Sequence, residues 1–193
     1  MTFIATNGML GTVDLSIVDP AGPGYQNLVA GTGSGRMNFY NQVVDGYDPN
    51  LGGGEFVYAK FSGTIAAGTV CDFSDAISGG AIVTSATAWG GTANSGKPLG
   101  VAVSSGVAGQ WGWFQVGGLA ITTVSGAPAA GNPAYWQASG VVSPTAVAGK
   151  QVLGAQFATG VSQTIGQGST AVALSATQAV VRLQRPVVQS QIT

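Results

Sequence analysis

Histidine is absent from the 193-residue sequence. That removes the commonest general base and metal ligand. It also excludes any Ser-His-Asp or Cys-His mechanism within one chain. Charge is scarce, with Asp, Glu, Lys and Arg making 7% of the residues against about 25% in an ordinary soluble domain. So little charge leaves a lone copy poorly protected in solution, and partners are expected to cover part of its surface. Cysteine occurs once, as Cys71, so no intrachain disulfide is possible and a reducing cytoplasm is the expected place of synthesis. No apolar run reaches the roughly 18 residues of a membrane helix. The opening Met1-Thr2-Phe3-Ile4 stretch has no basic segment and no apolar core of secretory length. Six basic residues spread over the whole chain make no nucleic-acid stripe. Neither membrane nor direct nucleic-acid binding is expected.

What is present is glycine, 32 of 193 residues, and 45% hydrophobic residues, too many for a disordered chain. Glycine and β-branched residues are too frequent for long helices, and no segment has a capped 3.6-residue apolar period. Short apolar runs instead alternate with turn residues, which predicts an all-β fold, a compact barrel or sandwich. Expected strands are 55–61, 69–73, 81–89, 98–103, 111–115, 119–124, 133–137, 152–157, 170–174 and 179–183. Trp111, Trp113 and Gln115 share one face of their strand, Gly112 and Phe114 the other.

Three phrases occur twice in the same order. Ser62-Gly63-Thr64-Ile65-Ala66-Ala67-Gly68 matches Ser125-Gly126-Ala127-Pro128-Ala129-Ala130-Gly131. Gly96-Lys97 before Leu99-Gly100 matches Gly149-Lys150 before Leu153-Gly154. Ala108-Gly109-Gln110 matches Ala176-Thr177-Gln178. An internal duplication follows, with a first β-repeat over 55–118 and a second over 119–184, together one domain. Residues 1–54 read as an N-terminal arm, with 45–54 as its loop or linker and an alternating strand at 12–17. The extra residues between Phe157 and Ala176 read as a protruding loop, and 185–193 as a tail.

The charges are placed unevenly. Seven acids and two bases lie at or before Asp75, a net −5, and four bases with no acid follow, a net +4. Chance in a charge-poor chain explains this; a head-to-tail meeting of unlike ends between copies is the alternative. Cys71 has no basic activator near it in sequence and reads as a small strand residue. Asp72 and Asp75 read as bracketing a turn rather than as a catalytic pair. Asp48-Pro49-Asn50-Leu51-Gly52, with Glu55 downstream, is too sparse for a calcium loop. Gly31 to Arg36 matches no phosphate-cradling pattern. Trp111 and Trp113 suit a core or subunit interface, or a stacking platform for sugars or bases. No catalytic residue, metal or cofactor is expected, and hence no enzyme.

A strand, then Ser-Gly-x-x-Ala-Ala-Gly, then Gly-Lys-x-Leu-Gly-Val-Ala, then Ala-Gly-x leading into Trp113-Phe114-Gln115, resembles the small capsid decoration, or cement, proteins of tailed bacteriophages. Ala179-Val180-Val181-Arg182-Leu183 is similar to the closing strand of that family. The resemblance covers about 55–184; residues 1–54 and the insertion after Phe157 depart from it. It implies a β-barrel-like virion structural protein, assembled in the host cytoplasm and bound outside the capsid. It further implies the phage major capsid protein as partner, association as a homotrimer, and stabilisation of the shell by bridging coat subunits. The residues expected to make contacts are Arg36, Phe39, Tyr40 and Tyr47 in the arm, Trp111 and Trp113 in the body, and Arg182 and Arg185 near the end. A tail or head-fibre component binding host surface or glycan is the alternative, which exposed Trp89, Trp111 or Trp136 would favour.

Overall fold

The computed structural model describes residues 4–5, 15–16, 18–20, 41–78, 81–88, 90–166, 169 and 171–190. Its strands are β1 (Ile4–Ala5), β2 (Val43–Asp48), β3 (Gly52–Phe61), β4 (Val70–Ser78), β5 (Ala81–Ala88), β6 (Leu99–Ala102) and β7 (Trp111–Thr123), then β8 (Pro133–Gln137), β9 (Val141–Ser143), β10 (Gln151–Phe157), β11 (Thr164–Ile165), β12 (Val172–Ala173) and β13 (Gln178–Val188). The expected all-β class is what forms.

Strand pairing closes on itself twice. β3 pairs with β5 in parallel, then β5 with β4, β4 with β6, β6 with β7 and β7 back to β3, all antiparallel. The far half of β7 begins the same circuit again. It pairs with β13, β13 with β10, β10 with β8 and β8 with β9. A parallel bridge between Val124 and Val142 stands where β3 meets β5 in the first circuit. The body is therefore two five-stranded barrels in tandem, sharing one long strand. Closure removes most of the unpaired edge that an open sheet would leave.

The repeated phrases occupy matching places. The amides of Ser62 and Ser125 donate to the carbonyls of Ala86 and Val142 at 3.0 and 2.9 Å. Those of Gly68 and Gly131 donate to Ala102 and Phe157, both at 2.8 Å. Both glycines have positive φ, +79° and +88°, a conformation a side chain would strain. In the third phrase a glutamine side chain closes the turn each time: the Val107 amide donates to Gln110 Oε1 at 2.9 Å, and the Ser175 amide to Gln178 Oε1 at 3.2 Å. In the second barrel the β10–β13 pairing shifts between Leu153 and Ala155, where Gly154, at positive φ, stands opposite Gln184, Arg185 and Pro186, so the bulge lies in β13.

Three apolar clusters result. Inside the first barrel, Ala59, Cys71, Ala86 and Ala102 surround Phe61 and Phe114, with Phe73 packed against them. The second barrel holds Trp136, Phe157, Val142, Val181 and Leu183, joined by Leu99, Val101 and Val70 from the first. A third cluster lies outside the barrels around Tyr58, Trp111 and Trp113.

Several boundaries differ from expectation. Residues 45–54 are no linker: β2 and β3 form a hairpin, with Asp48 paired to Gly52. Glycine is needed there because a Cβ on Gly54 would stand 2.8 Å from Gln115 Nε2 and 2.9 Å from the Gly117 carbonyl. The expected strands 111–115 and 119–124 are one strand, β7, because the two barrels share it. The insertion after Phe157 does not protrude freely, since Leu174 is buried with Trp113 and Ile165 and Val172 pack against the same cluster. The tail continues β13 to Val188 and bridges back to the first barrel through Pro98 and Val187. Asp72 and Asp75 sit within β4 rather than at a turn. Most of the strand expected at 12–17 lies outside the described residues, where Leu15 and Ser16 occupy a turn.

Candidate interaction surface

The tryptophans foreseen as contacts face inward. Trp113 is fully buried and Trp111 nearly so, each packed on Tyr58 with ring centroids 5.1 and 5.5 Å apart. They face the chain's own third cluster because two segments cover that side of β7: the insertion through Leu174, and Leu15 from the N-terminal region. Asp19 fastens the latter segment. It bonds Trp111 backbone to backbone in both directions at 2.8 Å, and its carboxylate accepts the Tyr58 hydroxyl at 3.2 Å. Leu15 and Asp19 thus pack on the chain's own barrel. Trp136 is buried too. A stacking platform for glycan is not formed by Trp111, Trp113 or Trp136; Trp89 lies outside the described residues.

Of the remaining expected contacts, Arg36, Phe39 and Tyr40 lie outside the described residues. Tyr47 is 52% exposed on β2, and Arg182 is exposed on β13. Arg185 is exposed as well, but it is engaged, its Nε donating to Glu55 Oε2 at 2.9 Å and its Nη2 to Oε1. These hydrogen bonds hold the Glu55 carboxyl below its ordinary value, against an opposing push from burial. The pair ties the end of the second barrel to the first strand of the first.

The pair also marks the mouth of the first barrel. Beside it opens an apolar hollow of about 310 Å³, lined by Val43, Val57, Phe73, Val116 and Val187 among others. From that mouth the β4–β5 ribbon projects. Alternation carries the barrel's interior face outward along it, as Cys71, Phe73, Asp75 and Ile77 on β4 opposite Ala88, Ala86, Thr84 and Ile82 on β5. At the outer end Ile77 and Ile82 are cross-strand neighbours, 81% and 60% exposed. These two isoleucines were missed from sequence, although their phase with Phe73 was there to be read. A second hollow, about 380 Å³, lies on the second barrel against β10 and β13, with Arg182 and Leu153 in its lining.

The chemistry expected to be missing finds no new support in the geometry. Burial pushes the Cys71 thiol far up, the charge of Asp72 adding to it, so no thiolate nucleophile is on offer. Asp72 binds Lys97 Nζ, while Asp75, on the other face of β4, accepts the Thr84 hydroxyl at 2.6 Å. Alternation therefore separates these carboxylates. Asp48 caps its own turn, accepting the amides of Asn50 at 2.8 Å and Leu51 at 3.0 Å. Among the described residues no group of three or more Asp, Glu, Cys or His is placed to hold a metal ion. No helix among them is long and apolar enough to cross a membrane. No protein-family model matches the chain, and no curated protein is significantly similar to it.

Proposed function

We propose that this chain is a structural protein of a phage virion that binds the outer surface of the capsid and bridges coat subunits. The observation that carries the reading is the duplication itself. The phrases that carry the resemblance lie in equivalent turns and strands of two closed barrels, so the chain repeats one β-unit. A rigid body with two like ends is suited to span two neighbouring subunits of a repeating shell, each contact reinforcing the other through high effective concentration. Burial of Trp111, Trp113 and Trp136 within the chain removes three of the four tryptophans from any platform the fibre and glycan reading would use.

The arm reading needs revision in one respect. Removing residues 1–44 would strip Leu15, Asp19 and Val44 from the chain's own packing. That truncation would disturb the barrels and would not isolate an arm. The direct test is the copy number of this chain relative to the major coat protein in purified particles of its phage, by quantitative mass spectrometry. A near-stoichiometric ratio is expected. A handful of copies, or none, would overturn the proposal.

A further inference from the structure

We infer that the β4–β5 ribbon of one copy docks into the Arg182 hollow of a second copy, so that the chain associates head to tail. The ribbon is shaped for insertion rather than for packing on its own barrel. Past Phe73 its inward face carries Asp75, Ile77 and Ile82, and the two isoleucines are the most exposed of the large hydrophobic residues described. Side chains of that size left in water at adjacent cross-strand positions mark a contact surface.

The ribbon offers its face because one edge is already occupied. The Asn41 side chain bonds both main-chain groups that a neighbouring strand would use there, donating to the Ile82 carbonyl at 3.1 Å and accepting from the Thr84 amide at 2.9 Å. Strand addition along that edge is blocked.

The matching surface lies on the second barrel. The hollow beside β10 and β13 encloses about 380 Å³, room enough for two branched side chains. Leu153, 46% exposed, gives it an apolar contact, and glutamines and Arg182 give it a polar rim. Charge selects the pairing. No acid occurs after Asp75 in the sequence, so the second barrel contains nothing to neutralise Arg182. Among the described residues neither Arg182 nor Asp75 belongs to an ion pair. The ribbon brings a carboxylate beside two isoleucines, and the hollow brings a guanidinium beside a leucine. Because the two patches are unlike, each copy keeps one free ribbon and one free hollow until the assembly closes into a ring. The association needs no capsid and is tested without one, so it stands or falls apart from the proposed function.

The test is a charge swap in the full chain, read by sedimentation velocity over a concentration series. Wild type should assemble beyond the monomer. Asp75→Arg and Arg182→Asp should each weaken self-association at least tenfold. An equimolar mixture of the two should assemble again, since each supplies the ribbon or hollow that the other now fits, and the double variant should assemble alone. Circular dichroism checks that each variant folds. The pair Ile77→Ser with Ile82→Ser, at exposed positions, gives a second route to the same loss. A wild type that stays monomeric, single variants that assemble as wild type does, or a mixture that stays apart would each overturn the inference.

Discussion

In the first barrel three phenylalanines, Phe61, Phe73 and Phe114, stand among alanines and glycines; in the second, Val124, Trp136 and Val181 occupy the equivalent places. The strand pairings make the equivalence firm, since Ala59 faces Gly112 across β3 and β7 as Thr122 faces Ala179 across β7 and β13. Volume is moved around rather than kept position by position. Where Phe61 became Val124, Gly112 became Ala179. Where Ala102 stands on β6, Phe157 stands on β10, each accepting the corresponding turn glycine's amide at 2.8 Å. The backbone circuit and its turn hydrogen bonds are held constant while the interior is refilled. A small closed barrel tolerates such exchange as long as total volume is kept.

The largest expected effect comes from removing the side chain that fills most of one interior. Trp136 is almost wholly buried, whereas its counterpart Phe73 sits half-buried at the mouth. Trp136→Ala should cost about 3–5 kcal/mol of unfolding free energy in chemical denaturation. Phe73→Ala should cost clearly less. Equal losses would mean that the two interiors are not organised as described.

A sharper test exchanges one solution for the other. An alanine Cβ at Gly112 would stand 2.7 Å from the Phe61 ring, and one at Gly106 would stand 2.6 Å from the same ring, so the ring fills the space that both glycines leave. Gly112→Ala alone should therefore destabilise by about 1–3 kcal/mol through overpacking. Combined with Phe61→Val it reproduces the Val124 and Ala179 pair of the second barrel. The double variant should be more stable than the sum of the single effects allows, which a double-mutant cycle measures. Additive losses would break the equivalence of these positions.

The duplication was legible because its phrases carry turn chemistry, which is local: positive-φ glycines, and a glutamine that reaches its own turn. Most strands followed from alternation for the same reason. What escaped was set by distant contacts. Gly52-Gly53-Gly54 looked like a linker because the need for glycine at Gly54 comes from Gln115 and Gly117, which are far away in sequence. Trp111 and Trp113 were offered as contacts because nothing local shows that Leu174, some 60 residues on, would cover them. Asp72 and Asp75 resembled turn residues by composition, yet each is held in β4 by a side chain on another strand or loop, Lys97 and Thr84. The exposed isoleucines were a mixed case: Ile82 fell in an expected strand, but β4 was expected to end at Phe73 and instead runs on to Ser78, past the barrel wall and through Ile77.

A smaller effect probes the turns. If the glutamine caps are equivalent, Gln110→Ala and Gln178→Ala should each cost about 1 kcal/mol, the typical net worth of one such hydrogen bond. Thermal denaturation of the two variants side by side checks this. A loss confined to one of them would show that the shared phrase does its structural work in one barrel alone.

The smallest expected effect concerns the tie between barrels. Glu55 lies near the start of β3 in the first and Arg185 in the bulge of β13 in the second, so their ion pair adds a side-chain tie to units already joined by β7, by the Pro98–Val187 bridge and by the packing between them. The Glu55 carboxyl lies below its ordinary value of 4.5, chiefly through the hydrogen bonds from Arg185. A carboxyl lowered by folding adds stability that is fully present above its unfolded value and disappears as pH falls through the folded one. The melting temperature of wild type should therefore exceed that of Arg185→Ala slightly at neutral pH and low salt. The gap should shrink on acidification below the ordinary glutamate range, and also with added salt at neutral pH, because Arg185 is exposed and screening reaches it. Both dependences matter. A gap that persisted in acid would assign the effect to the lost stem of Arg185 packing at the barrel mouth. A gap that closed with acid but ignored salt would mean that the pair is shielded from solvent, and the two barrels more tightly joined than the exposure of Arg185 indicates.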